Sequence, residues 1–254
     1  ILGDEASLER ITADDLMGWR DAHYAPERLT LVVAGKVDHD ALLRLVDQHF
    51  PASAGAAAPA AEPAQFAAGQ FHDPRRTEQV QLTAGWPAPG HHDPAHDAAA
   101  LFTLAAGGGM SSRLFQDVRE ERGLAYAISA AMQPYADGGL MSVHAATARK
   151  DAARARDLVA KVLAETAATL SPEELARARA QAVAALMMAL EGPQGQADYL
   201  ARQLLVHGRF VPPAEVVARV GAVTVDAARA AGAAMLAHAP ARAEIGHHKL
   251  ASAA

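Results

Sequence analysis

The sequence predicts an α+β fold, an antiparallel sheet with helices packed on it, and three observations carry that prediction. Strand-like and helix-like runs follow one another in an order that makes layers of helix on sheet. The turn "YADGG" (135–139) joins two neighbouring strand-like runs as an antiparallel hairpin. The composition, 51% hydrophobic and 20% charged, is that of a globular, core-forming chain.

The elements can be justified in order. Thr12 caps a first helix with Asp15 in the reciprocal position, and Ile11, Leu16, Trp19 and His23 fall on one face before Pro26 ends it. "LTLVVAG" (Leu29–Gly35) reads as a short buried strand. Asp38 caps a helix in which Leu42, Leu45, Val46 and Phe50 have helical spacing, and Pro51 stops it. Ala52–Gly69, dominated by alanine with prolines at 59 and 63, reads as a linker. It divides the chain into 1–51, 52–69 and 70–254.

Beyond the linker, Glu78–Trp86 alternates like a half-buried strand, and Asp93-Pro94 marks the start of a helix running to Gly107. A second helix is expected over Ser111–Arg122 with Gly123 as its C-cap, then strands over Ala125–Met132 and Leu140–Thr147. The remainder is mostly helical. Ser171-Pro172-Glu173-Glu174 is a strong start signal, Gly192-Pro193 breaks the long pattern, Pro212 and Thr224 open two more helices, and "ARAEIGHH" can close the fold as a strand.

Several chemistries are excluded or disfavoured. The chain has no cysteine, so disulfides, thiolate catalysis and cysteine-type zinc sites are absent. A net charge of −6 without a basic stripe argues against a nucleic-acid partner, and no apolar run is long enough to span a membrane. His91, His92 and His96 cluster with Asp93 and Asp97, but a helix start falls between them and no H-E-x-x-H or H-x-x-E-H frame occurs, so a structural or exposed role is the expectation. His23, His49, His247 and His248 stand alone or near helix ends. There is no G-x-S-x-G, and "GGGMSSR" lacks the G-K-[ST] ending of a phosphate loop. The chain begins at Ile1 in mid-pattern, which reads as a fragment or a processed product.

One stretch stands out. Gly107, Gly108 and Gly109 can bring backbone close to another group without side-chain obstruction, and Arg119 and Tyr126 follow on either side of Gly123. An arginine can fork onto a peptide carbonyl or carboxylate, and a tyrosine offers a ring face and a hydroxyl. The pair reads as a clamp for an extended peptide, or as a surface arginine beside a half-buried tyrosine.

"GGGMSSRLFQDVREERGLAYAISA" resembles the second, C-terminal domain of M16 zinc metallopeptidases, the group of pitrilysin, insulin-degrading enzyme and mitochondrial processing peptidase. Residues 1–50 are similar to the end of that family's first domain. The resemblance implies two related α+β units, the first truncated. It also implies that the family's zinc ligands and general base lie ahead of the segment matching Ile1, so that this chain ligates no zinc and is inactive alone. A missing N-terminal half or an M16 partner subunit would then supply the zinc site, with a dimer as the expected assembly. Arg119 and Tyr126 match the substrate-binding pair of the family's C-terminal half, and Gly107–Gly109 corresponds to a glycine-rich loop linked to substrate handling. The implied function is the substrate-binding portion of a zinc-dependent endopeptidase. Alternatives are a non-catalytic peptide-binding subunit of a heterodimer and a structural subunit like the core proteins of respiratory complexes. A bacterial cytoplasm or periplasm is the expected compartment.

Overall fold

The computed structural model describes residues 3–25, 28–50 and 62–247. The expected linker falls largely outside these residues, and so does His248. The chain divides into two compact units: Ile1–Glu62 with Ala189–Phe210, and Pro63–Met188 with Val211–Ala254.

The first unit contains α1 (Glu5–Arg10), α2 (Ala13–His23), α3 (His39–His49) and, from the later part of the chain, α7 (Pro193–His207). Local capping explains why the first three form. Asp4 and Ser7 make a reciprocal box for α1, Thr12 and Asp15 make one for α2, and Asp38 accepts from the Ala41 N–H at 2.7 Å for α3. None of α1, α2 and α3 contains a buried residue. The expected strand at Leu29–Gly35 is not formed: Leu29–Ala34 carries no strand pairing, and Leu29, Leu31 and Val33 are exposed. A strand exists only through a partner's hydrogen bonds, and none of the described residues offers one. Strand-forming side chains alone are not sufficient.

The second unit holds the sheet, with β1 (Gly69–Asp73), β2 (Val80–Ala88), β3 (Ala127–Pro134), β4 (Gly139–Thr147) and β5 (Ala241–Ile245) in the order β1-β5-β2-β4-β3. All neighbouring pairs are antiparallel except β1 with β5, which is parallel. The closing strand therefore sits inside the sheet rather than at its edge. β1 begins on the last residue of the expected linker and was not legible as a strand.

Helices α4 (His96–Gly107), α5 (Ala152–Thr169) and α9 (Val225–Leu236) pack on one face of this sheet. The buried side chains include Val80, Leu82 and Trp86 of β2, Met141 and Val143 of β4, Phe102 of α4 and Val162 of α5. They follow the period of two on the strands and that of the helix on α4 and α5. A second cluster joins Leu101 to Leu170, Leu175 and Ala228, which brings in α6 (Pro172–Ala189). α6 starts on the expected box: the Glu174 N–H donates to Ser171 Oγ at 3.2 Å, and the Ser171 N–H donates to Glu174 at 2.8 Å. α8 (Pro213–Ala222) and α9 follow Pro212 and Thr224 as expected.

Two helix starts differ from expectation. α4 begins at His96, because Asp93 uses its carboxylate on the Ala95 N–H and its carbonyl on the His96 N–H to make a preceding turn. The expected helix over Ser111–Arg122 begins at Arg113, with residues 113–114 α-helical before a π-helix at Phe115–Glu120 in which the Glu121 N–H reaches back five residues to the Gln116 carbonyl.

Candidate substrate-binding segment

The glycines close α4, and their close approaches are to the protein itself. A Cβ on Gly107 would lie 2.6 Å from Ala130 Cβ and 2.7 Å from Ala130 N on β3. One on Gly108 would lie 2.6 Å from Leu104 Cδ2. The Gly108 carbonyl accepts from Gln181 Nε2 at 2.7 Å, and the Gly109 carbonyl accepts from the Ser112 N–H and hydroxyl. The glycines thus allow the end of α4 to sit directly against β3 and α6.

Arg113 anchors the next step. Its guanidinium donates to both carboxylate oxygens of Glu174 at 2.6 Å and to the hydroxyl and carbonyl of Thr169. This bidentate pair is mostly buried, and the hydrogen bond from Arg113 holds the Glu174 carboxyl below its usual range while raising Arg113. Neither Arg113 nor Gln181 was foreseeable as a support of this segment. Their partners lie 61 and 73 residues away in the chain, and Glu174 is legible in the sequence only as a helix cap.

The segment from Arg119 to Tyr126 is pinned by its backbone and presents two side chains outward. Val118, Leu124 and Ala125 are buried, Gly123 turns the chain at φ 58°, and the Leu124 N–H donates to the Val118 carbonyl. The buried Thr147 hydroxyl donates to the Leu124 carbonyl at 2.5 Å, tying the turn to the end of β4. Arg119 retains 43% of its side-chain exposure, with its guanidinium carbon 4.6 Å from the centre of the Phe115 ring and its Nε 3.7 Å from Glu120. Tyr126 is 62% exposed. Its N–H donates to the carbonyl of Ala146, the residue opposite Ala127, so two successive residues face one in the manner of a β-bulge. Neither the Arg119 guanidinium nor the Tyr126 hydroxyl hydrogen-bonds to any described residue.

Two members of the histidine cluster make contacts within the fold. His96 Nδ1 contacts the Gly90 carbonyl at 3.1 Å, and Asp97 pairs with Arg219. Among the described residues no group of three or more histidine, aspartate or glutamate side chains is placed to hold a metal ion. The donor set does not fit zinc, and no step through zinc is assigned to these residues. No helix among the described residues is long and apolar enough to cross a membrane.

The family model described as the peptidase M16 inactive domain matches residues 10–182. A protein of Streptomyces coelicolor named as an uncharacterised zinc protease is 31% identical over 97% of this chain and 56% of its own length. One of Mycobacterium tuberculosis with the same kind of name is 30% identical over 98% of this chain and 58% of its own. The chain therefore spans somewhat more than half the length of these relatives. Among solved structures, an M16 inactive domain from Pseudomonas fluorescens superposes with a TM-score of 0.81 at 21% identity, covering 99% of this chain and 61% of that one. A chain of complex III from Candida albicans gives 0.84 at 20% identity, covering 96% and 61%. The resemblance of the "GGGMSSRLFQDVREERGLAYAISA" stretch is thus matched by a family model over most of the chain and by fold, and this chain belongs to the M16 peptidase family, to its inactive domain.

Proposed function

We propose that this chain is the peptide-positioning portion of a zinc-dependent M16 endopeptidase whose metal-bearing half lies outside this sequence or in a partner subunit. The observation that carries the reading is the Arg119–Tyr126 segment. Its backbone is fixed by buried neighbours, while its two most capable hydrogen-bonding side chains are exposed and form no hydrogen bond to any described residue. Such groups need break no hydrogen bond to a described residue when a peptide carbonyl or carboxylate arrives, which lowers the cost of binding. The zinc-protease names of the relatives support metal chemistry in the complete protein. This chain's share of it is to bind and orient.

The first unit supports the same division. α1, α2 and α3 contain no buried residue, Leu16, Trp19 and Leu45 are exposed, and Leu29, Thr30, Leu31, Val46 and Phe50 line a hollow. An apolar surface of that extent is completed by another segment in a folded protein. We propose that a preceding, metal-bearing segment completes it, and that the unit is the end of a related first domain.

The test is steady-state kinetics of the complete zinc enzyme containing this chain. Arg119→Ala removes a charge-assisted hydrogen bond worth about 1.5–3 kcal/mol, so kcat/KM should fall roughly 10- to 150-fold, and Tyr126→Phe should lower it by a smaller factor. Both variants should keep the wild-type Tm, because both side chains are exposed. Wild-type kcat/KM in both variants would remove the clamp.

A further inference from the structure

Among the described residues, the helices that pack on the sheet of the second unit lie on one face, and the other face carries a different set of side chains. Strand alternation places Thr83 and Gly85 of β2, Ser142 and Ala146 of β4, and Ser129 and Ala131 of β3 on that face. All of these are small, while Gln81 of β2, Gln133 of β3 and Leu140 of β4 on the same face are larger, and Leu140 Cδ1 lies 3.1 Å from where a Cβ on Gly85 would be. Among the small residues stands His144, directly opposite Thr83 on one side and Ser129 on the other. It is exposed, and its Nδ1 lies 3.0 Å from Thr83 Oγ1. That contact fixes the ring plane and leaves Nε2 directed away from Thr83. No aspartate, glutamate, lysine or arginine occupies the adjoining positions 81, 83 and 85 of β2, 127, 129 and 131 of β3, or 142 and 146 of β4.

His144 is also near the clamp. Ala146 faces the Tyr126–Ala127 bulge, and His144 is the next residue of β4 on the same face, about 7 Å along the strand. We propose that His144, oriented by Thr83, is a specificity-determining contact for the bound peptide, favouring substrates with a carboxylate side chain at the position that lies over it. The small side chains around His144 let a peptide backbone approach, and the imidazole is the group among them able to carry charge; Asp73, paired with Arg75, lies on the same face but on β1, two strands beyond β2. The inference rests on the reading of Arg119 and Tyr126 as peptide contacts.

The experiment compares two fluorogenic peptides, identical except for Glu or Gln at one position scanned along the sequence, as substrates of the complete zinc enzyme. At one position the Glu/Gln ratio of kcat/KM should rise at least about fivefold from pH 8 to pH 5.5. His144→Gln, which keeps a hydrogen-bonding group on that face but cannot become charged, should abolish the rise with Tm unchanged. Thr83→Val should weaken the rise without removing it. An unchanged rise in His144→Gln, or no rise at any position in the wild type, overturns the proposal. Arg119→Ala is measured in parallel. If it lowers kcat/KM while His144→Gln keeps the wild-type ratio profile, this inference alone fails. If Arg119→Ala and Tyr126→Phe both leave kcat/KM unchanged, the clamp fails and this inference with it.

Discussion

Glu174 is one carboxylate with two duties, since it closes the cap of α6 and grips Arg113 behind the glycine turn. Its pKa is lowered first by the hydrogen bond from Arg113, so its contribution to stability is complete above the unfolded value of about 4.5 and is lost as pH falls through the lower folded value. Glu174→Gln should therefore destabilise the second unit by about 1–3 kcal/mol at pH 7, with the difference from wild type closing below pH 4.5. Denaturant titrations at pH 7 and pH 3.5 check this, and a difference that persists undiminished at pH 3.5 contradicts it. Gly107 makes a second prediction at this scale. Alanine there must displace Ala130, so Gly107→Ala should cost about 1–3 kcal/mol by overpacking. A variant as stable as wild type would show that β3 can yield at that point. The residue types at both positions were legible in the sequence. Their partners were not, because nothing local in "GGGMSSR" points to Ala130 or to a glutamate 61 residues on.

Among the elements, those specified by local chemistry could be read directly and those that depend on distant partners could not. Thr12, Asp38, Ser171 and Thr224 each cap a helix with a hydrogen bond to a residue three positions away, a relation visible in the sequence. β1 depends on pairing with β5, about 170 residues later, and its own burial pattern is nearly featureless. The run at Leu29–Gly35 fails in the opposite sense, having the residues of a strand and no partner among the described residues. The π-helix at Phe115–Glu120 carries no warning in composition, although it lies beside the candidate site, where such bulges are often found. Thr147 ties the turn before Tyr126 to β4 by a buried hydroxyl. Thr147→Val should leave the Leu124 carbonyl without that donor and cost about 1–3 kcal/mol. A loss of kcat/KM larger than the loss of stability explains would show that the turn's rigidity matters to binding.

For the whole molecule, the two units differ in what they can do unaided. The second has a core in which Phe102, Leu114, Met141 and Leu163 are fully buried, so Phe102→Ala there should cost about 3–5 kcal/mol. The first exposes most of its large apolar side chains, so this chain on its own should self-associate and bind an apolar dye. Leu29→Ser with Leu31→Ser should reduce both effects. Sedimentation of the isolated chain checks this, and a dye-silent monomer at high concentration contradicts it. The measurement closest to the centre of the account is a double-mutant cycle on kcat/KM in the complete zinc enzyme, using Arg119→Ala and Tyr126→Phe. If the two side chains hold one peptide, their effects should be coupled by about 0.5–3 kcal/mol, with the double variant losing less than the two single losses combined. Strictly additive losses, or none, would mean that they are separate surface residues and that the grip lies elsewhere.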